Sequence, residues 1–335
     1  MKSKLLATTV LGAQLFCAVG MVQAQSAQHR NSKPATARQF GWLDPTDVLG
    51  LRSARQLTRV ESGSPQPQPV DAEPAKSKTY AFDTVDYPGT VYSAIYDTAN
   101  GTAVGFFLYL NPGAPSQAFT FKGTKYKILN VPGSTSSQLL GINDLGQMVG
   151  SYADSAGEHG FLDDGGKFTT IDFPGALDTY AEGINDSGMI VGLFYYSSGD
   201  PHAYLDEGGT FTNIDYPGAI YTVAEGIDSK GDIVGWWEDS SHGHGFLLSN
   251  GAFTSLDFPG AHDTQLFGIN DAGEIAGTYF DASLVGHGFV YSQGNWKTVD
   301  VTGAAETSLT RIKNNGQVTG GLADALGEAH GFIGH

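Results

Sequence analysis

Hydrophobic positions follow three regimes along the chain. Residues 5–22 are almost continuously apolar behind Lys2 and Lys4, residues 25–78 show no period, and from Thr79 to His335 the apolar residues come in short runs bounded by Gly, Asn and Asp. Run length and punctuation in the third regime predict strands joined by tight turns, and no stretch there has the spacing of an amphipathic helix.

These short runs recur as a phrase. One copy reads Phe168-Thr-Thr-Ile-Asp-Phe-Pro-Gly175, then Tyr180-Ala-Glu-Gly-Ile-Asn-Asp-Ser-Gly-Met-Ile-Val-Gly192, then His202-Ala-Tyr-Leu-Asp-Glu-Gly-Gly209. Six copies span Thr79 to His335 at about 43 residues each, within the range of four-stranded propeller blades. Two turn compositions alternate: Asn143-Asp-Leu-Gly146, Asn185-Asp-Ser-Gly188, Asp228-Ser-Lys-Gly231 and Asn270-Asp-Ala-Gly273 form one set, and Asp163-Asp-Gly-Gly166 and Asp206-Glu-Gly-Gly209 belong to the other. Asn or Asp bonds its own backbone there and Gly accepts positive φ, so each unit holds two hairpins and four antiparallel strands, a to d. The repeat region opens on a d strand, Tyr80 to Tyr87, and closes on a c strand, His330 to Ile333. This phase shift predicts an all-β, six-bladed β-propeller whose ring is closed by the N-terminal strand pairing into the last blade, since an open stack needs caps at both ends.

The first regime reads as a secretory signal peptide, residues 1–24, cleaved after Ala24 in Val22-Gln23-Ala24, which predicts a secreted or periplasmic protein. Gly12, Gln14 and Gly20 weaken it as a membrane span. Cys17 is the one cysteine and lies in this segment, so the mature chain relies on packing rather than disulfides. Residues 25–78, with the run Gly63-Ser-Pro-Gln-Pro-Gln-Pro69, read as a flexible tether; a short helix between Asp44 and Val60, capped by Asp44 with Pro45 in its first position, is the one element it offers. Residues 79–335 form the repeat domain.

Composition narrows the function classes. The chain carries 18 basic and 35 acidic residues for a net charge of −17, and the repeat region alone holds 30 acidic and eight basic. That balance excludes a phosphate-neutralising nucleic-acid binder and disfavours anionic membranes. It leaves Ca²⁺ as an ion for the acidic loops, although no EF-hand or Gly-Gly-x-Gly-x-Asp spacing is present, and a solubilising acidic surface explains the charge as well.

The units resemble the HAF family of probable extracellular repeats, named for a His-Ala-Phe tripeptide. Here it stands as His159-Gly-Phe, His202-Ala-Tyr, His244-Gly-Phe, His287-Gly-Phe and His330-Gly-Phe, with Gln117-Ala-Phe in the first copy. The resemblance implies an exported repeat protein of undefined function, and brings no catalytic residues.

Propeller connectivity sorts the candidate residues. The d-to-a and b-to-c loops open on one face and gather Asp178, Tyr221, Asp263 and Glu306 with Asp154, Asp200, Glu238, Asp239 and Asp281. Five imidazoles begin their strands there, but equivalent places on neighbouring blades lie too far apart for bonds of about 2 Å to one ion. No metal set is therefore expected, and each His is read as fixing a loop by bonding adjacent backbone. Positions that differ between blades suit a ligand better. Tyr195-Tyr196 and Trp236-Trp237 end b strands, and Trp237 beside Glu238 and Asp239 is the best sugar-stacking platform, with Tyr196 the second aromatic. The expectation is a non-catalytic module binding an extracellular glycan or protein through this face. The alternative is a glycan hydrolase or lyase with paired carboxylates from Glu182, Glu225 and Glu238, the first two at the channel mouth.

Overall fold

The computed structural model describes residues 79–335 apart from 91, 110–114 and 198. The expected leader, the tether and its short helix lie outside the described residues. Among the described residues the chain is all β, with 24 strands and no helix. A single strand, β1 (Phe82–Val85), precedes six repeating groups. The first is β2 (Tyr92–Ala99), β3 (Thr102–Leu108), β4 (Gln117–Lys122) and β5 (Lys125–Ile128). The second is β6 (Ser136–Ile142), β7 (Met148–Ala153), β8 (Glu158–Asp164) and β9 (Lys167–Ile171). The third is β10 (Asp178–Ile184), β11 (Met189–Tyr195), β12 (Pro201–Glu207) and β13 (Phe211–Asn213). The fourth is β14 (Tyr221–Ile227), β15 (Ile233–Glu238), β16 (Gly243–Ser249) and β17 (Ala252–Ser255). The fifth is β18 (Asp263–Ile269), β19 (Ile275–Phe280), β20 (Gly286–Ser292) and β21 (Asn295–Thr298). The last has three strands, β22 (Glu306–Ile312), β23 (Val318–Ala323) and β24 (Ala329–Gly334).

Within each group the strands pair antiparallel in chain order. The hairpin turns dictate this: Gly146, Gly188, Gly231 and Gly273 close the a-to-b turns at φ near +80°, a conformation Gly adopts without a Cβ penalty. The missing fourth strand of the last group is supplied by β1, which pairs antiparallel with β24 from Phe82 opposite Gly334 to Val85 opposite Gly331. Ala81 and His335 add two backbone bonds beyond that ladder. A parallel bridge between Tyr92 and Ala329 joins β24 to β2. First and last repeats also meet through Thr310 Oγ1, which donates to Ile95 O, and Thr319 Oγ1, which donates to Tyr96 O.

Burial grades outward across each sheet. Every residue of β10 is buried, whereas β13 is half-buried or exposed throughout. The core is divided among the interfaces between neighbouring sheets: one cluster joins Val149 and Ile171 of the second group to Ala181, Ile190, Phe194 and Tyr204 of the third. Each inner strand carries one bulge at the same place, centred on Tyr96, Leu140, Glu182, Glu225, Phe267 and Thr310. A bulge leaves its residue outside the ladder and re-aims the backbone, which frees these carbonyls for another use.

Candidate functional site

That use is Arg311. Its guanidinium donates to Phe267 O at 2.7 Å, Thr310 O at 2.8 Å, Glu182 O at 2.6 Å, Glu225 O at 3.0 Å and Leu140 O at 3.3 Å. One buried side chain thus serves bulges from five repeats. Four of those repeats place Gly where Arg311 stands, at Gly141, Gly183, Gly226 and Gly268. A Cβ on Gly183 would lie 2.6 Å from Glu225 O, and one on Gly226 2.7 Å from Phe267 O, so the backbones approach closely enough to require glycine. The first repeat places Asp97 there, buried, with Lys313 Nζ at 3.1 Å from Oδ1 and Arg311 Nε at 3.9 Å from Oδ2. The two repeats without glycine therefore carry opposite charges that meet.

Beside this plug lies a cavity of about 440 Å³, lined by the a-to-b turns of all six repeats. Its floor includes Ile142, Ile184, Ile227, Ile269 and Ile312, and its wall is polar. Much of that polarity is committed to joining turn to turn. Asn143 Nδ2 donates to Asn185 O, Asn185 Nδ2 to Asp228 O, and Asn270 Nδ2 to Lys313 O. Asp228 interrupts the series because a carboxylate has no proton to pass to the next turn. Its Oδ1 accepts from Lys230 N and Asp232 N, as Asn185 Oδ1 does from Ser187 N and Met189 N, but its Oδ2 is buried without a hydrogen-bond partner. Burial accordingly raises this carboxyl above the usual aspartate range, against the backbone N–H bonds and the exposed Lys230 ammonium, 4.0 Å from Oδ2, that lower it. Asp228→Asn restores the missing donor at unchanged volume and is expected to stabilise by about 1 kcal/mol, or ~2–4 °C in Tm. A carboxyl whose folded pKa is raised weakens the fold as pH climbs from its unfolded value through the folded one. The gain from Asn should therefore widen upward from pH ~4 and then level off, and thermal melts across pH 3.5–8 that show no such widening would refute this account.

On the opposite face each tripeptide imidazole bonds a carboxylate, and four of the five face a second. His159, His202, His244, His287 and His330 bond through Nδ1 to Asp172, Asp215, Asp257, Asp300 and Asp86, at 2.7–3.0 Å. Each of these aspartates follows an outer strand. In four repeats Nε2 faces a second aspartate of the b-to-c loop, from 3.4 Å for Asp154 to 3.9 Å for Asp281 and Asp324, with Asp239 between. Those loop aspartates also cap their own turns: Asp239 Oδ1, for example, accepts from Ser241 N and His242 N, which holds its carboxyl below the usual range. Burial lowers the His159 pKa, but Asp172 and Asp154 together outweigh it and raise the imidazole above its ordinary value. The sequence-based expectation that each His bonds adjacent backbone is thus corrected. In four blades the partner is a carboxylate 13 residues onward, and in the last it is Asp86 after β1, reached in each case because the c strand and the outermost strand are hydrogen-bonded neighbours.

No protein-family model and no curated protein matches the chain. Among solved structures it is similar to TolB from Acinetobacter baumannii, with a TM-score of 0.51 and 14% identity over 70% of this chain and 64% of TolB. The matched region thus spans under two thirds of that protein. AofleA from Arthrobotrys oligospora reaches a TM-score of 0.49 at 14% identity, covering 76% of this chain and 86% of its own. The β-propeller domain of the Trilobed protease from Pyrococcus furiosus gives 0.48 at 11%, covering 72% and 93%. Radially graded four-stranded meanders, with bulges converging on one guanidinium and the TolB likeness, decide the architecture. The fold is a β-propeller.

The propeller places the sequence-derived candidates as follows. Trp237 is no open platform: its ring stacks on Tyr216 at 4.1 Å and on His244 at 4.6 Å, and its Nε1 is buried without a hydrogen-bond partner. The same stack recurs as Phe173 on Phe194 and Phe258 on Tyr279, so Phe194, not Tyr196, is the counterpart of Trp237. Tyr196 lies one residue beyond β11 and is 38% exposed. Asp178 and Asp263 are structural braces between sheets, accepting from Glu158 N and Gly243 N of the preceding repeat. Glu182 and Glu225 are buried in the propeller rather than presented at a mouth. Glu225 takes Trp236 Nε1 on Oε1 at 3.2 Å, and burial, opposed by Arg311 and that bond, pushes its carboxyl up to about 7. Glu238 is half-buried, raised by burial and by Asp263 and Asp239. The residue that sequence reasoning missed is Arg311. Its signal was present: Arg stands where four copies of the phrase have Gly.

Proposed function

We propose that the chain is an exported, non-catalytic binding module of the HAF-repeat type, a six-bladed propeller closed by β1 beside β24, which engages an extracellular protein through its d-to-a and b-to-c loops. One observation carries the reading. Of the seven large hydrophobic residues exposed among the described residues, Tyr109, Leu177, Tyr196, Ile220, Leu284 and Leu326 lie on these loops, and only Leu145 lies on the other face. These positions differ from blade to blade, whereas residues common to the blades are buried or bonded. Exposed apolar groups collected on one face of a soluble domain mark an interaction surface. Asp154, Asp239, Asp281 and Asp324 lie on the b-to-c loops of the same face, which favours a partner with basic groups. Aliphatic side chains favour protein over sugar; a glycan seated on Tyr196 is the second reading, supported by the exposure of that ring. The buried state of Glu182 and Glu225 argues against the catalytic alternative.

Paired variants test this. Leu177→Lys with Ile220→Lys is expected to weaken binding to extracellular proteins of the host, read by biolayer interferometry, at least tenfold, while Leu145→Lys leaves it unchanged. Equal binding by all three proteins would remove the loop face from the reading. A glycan array on which Tyr196→Ala alone loses signal would favour the sugar.

A further inference from the structure

We propose that the last blade binds one divalent transition-metal ion, Zn²⁺ by its donor set, through Asp324, Glu328 and His330. Among the described residues these three form the one group whose ligand atoms all lie within 4.8 Å of one another. Asp324 and Glu328 belong to the loop between β23 and β24, and His330 is the second residue of β24. Asp324 is preset: its side chain accepts from Leu326 N and Glu328 N through Oδ1, which leaves Oδ2 3.9 Å from His330 Nε2. Glu328 is exposed and its long side chain is free to close the remaining distance.

The imidazole is prepared from its other side. With Nδ1–H donating to Asp86 Oδ2 at 2.8 Å, Nε2 carries the lone pair, the tautomer and orientation that a carboxylate behind a ligating histidine imposes. Asp86 adds a further sign, because its Oδ1 is buried and has no hydrogen-bond partner. In the third and fourth blades the corresponding oxygen accepts Ala203 N or Gly245 N. Three carboxylates therefore face one imidazole in the last blade, an excess of negative charge that a dication offsets. Mixed imidazole and carboxylate donors suit Zn²⁺ better than Ca²⁺, which takes oxygen alone.

The other blades explain why a site arises once. The residue two before the tripeptide His is Gly157, Asp200, His242 or Val285, and only the last blade pairs a loop aspartate with Glu in that place. The site therefore needs a single blade, which removes the distance objection to metal binding by histidines of different blades. Its rear support, Asp86, comes from the segment after β1, so the ion ties the N-terminal strand to the end of the chain.

The experiment is titration of the chelator-treated full chain with Zn²⁺, Mn²⁺ and Ca²⁺ by calorimetry and thermal shift. The expected result is one Zn²⁺ per chain and a rise in Tm. Glu328→Gln should melt with the wild type in EDTA but lose at least tenfold in Zn²⁺ affinity. Val285→Glu, which builds the same donors in the fifth blade around Asp281 and His287, should raise the stoichiometry to two. An identical Zn²⁺ response from the wild type and Glu328→Gln overturns the proposal, as does a thermal shift with Ca²⁺ and none with Zn²⁺.

Discussion

Arg311→Ala is expected to cost about 3–5 kcal/mol, the range for removing one partner of a buried ion pair, and to lower Tm by roughly 10 °C. The loss has two sources. Five carbonyls converge on the guanidinium and would be left in a space that backbone glycines make too tight for substitute side chains. Asp97, buried beside it, would keep only Lys313 and backbone N–H partners. Arg311→Lys retains the charge but has three donors on one atom in place of a planar fork, so it should recover part of the loss and not all of it. Chemical denaturation of both variants decides the matter. A cost below about 1 kcal/mol for Ala would mean that the carbonyls find water, and that the plug is filler rather than a fastener.

Deletion of residues 79 to 87 should do still more damage. It strips the four-residue ladder from β24, together with the two bonds between Ala81 and His335. It also uncovers Phe332, against which Phe82 stands edge-on at 5.1 Å, and Phe107, on which Tyr87 stacks at 4.0 Å. Buried Val85 is lost as well. At about 1.5–3 kcal/mol for each large apolar side chain removed from contact, the total exceeds roughly 5 kcal/mol, or at least 10 °C in Tm. The bared edge of β24 would also invite pairing with another chain, so an increase in apparent mass on size exclusion should accompany the lower melting temperature. An unaltered melting temperature would count against ring closure by β1.

The strands were readable because their turns were. Asn143-Asp-Leu-Gly146 and its counterparts fix chain reversal by local chemistry, and four strands per unit follow from two such reversals. Long-range partnerships left weaker traces. Nothing local says that His202 bonds Asp215, since the pairing depends on the stagger of the outer hairpin. The doublet Tyr195-Tyr196 resembled Trp236-Trp237 in composition, yet β11 sets Phe194 in the place of Trp237, and an offset of two residues, past the strand end at Tyr195, exchanges a buried ring for an exposed one. Trp237 itself looked like a platform because a sequence does not display Tyr216, which arrives from the preceding blade to cover it. Arg311 escaped notice as an exception in a degenerate phrase, although exceptions of opposite sign at Asp97 and Arg311 form a pattern when both are read together.

The place of β1 has a mechanical meaning. The preceding residues join the domain at Tyr80, beside His335, while the other end of β1 leads through Asp86 and Tyr87 to the loops that carry the exposed hydrophobic residues. If a partner held at those loops is pulled against the residues before Tyr80, the force runs along β1, and all rungs to β24 bear it together. Traction between Tyr80 and His335 acts at one end of the same ladder and opens the rungs one after another. The domain should therefore resist load transmitted from its loop face far better than load applied across its two chain ends.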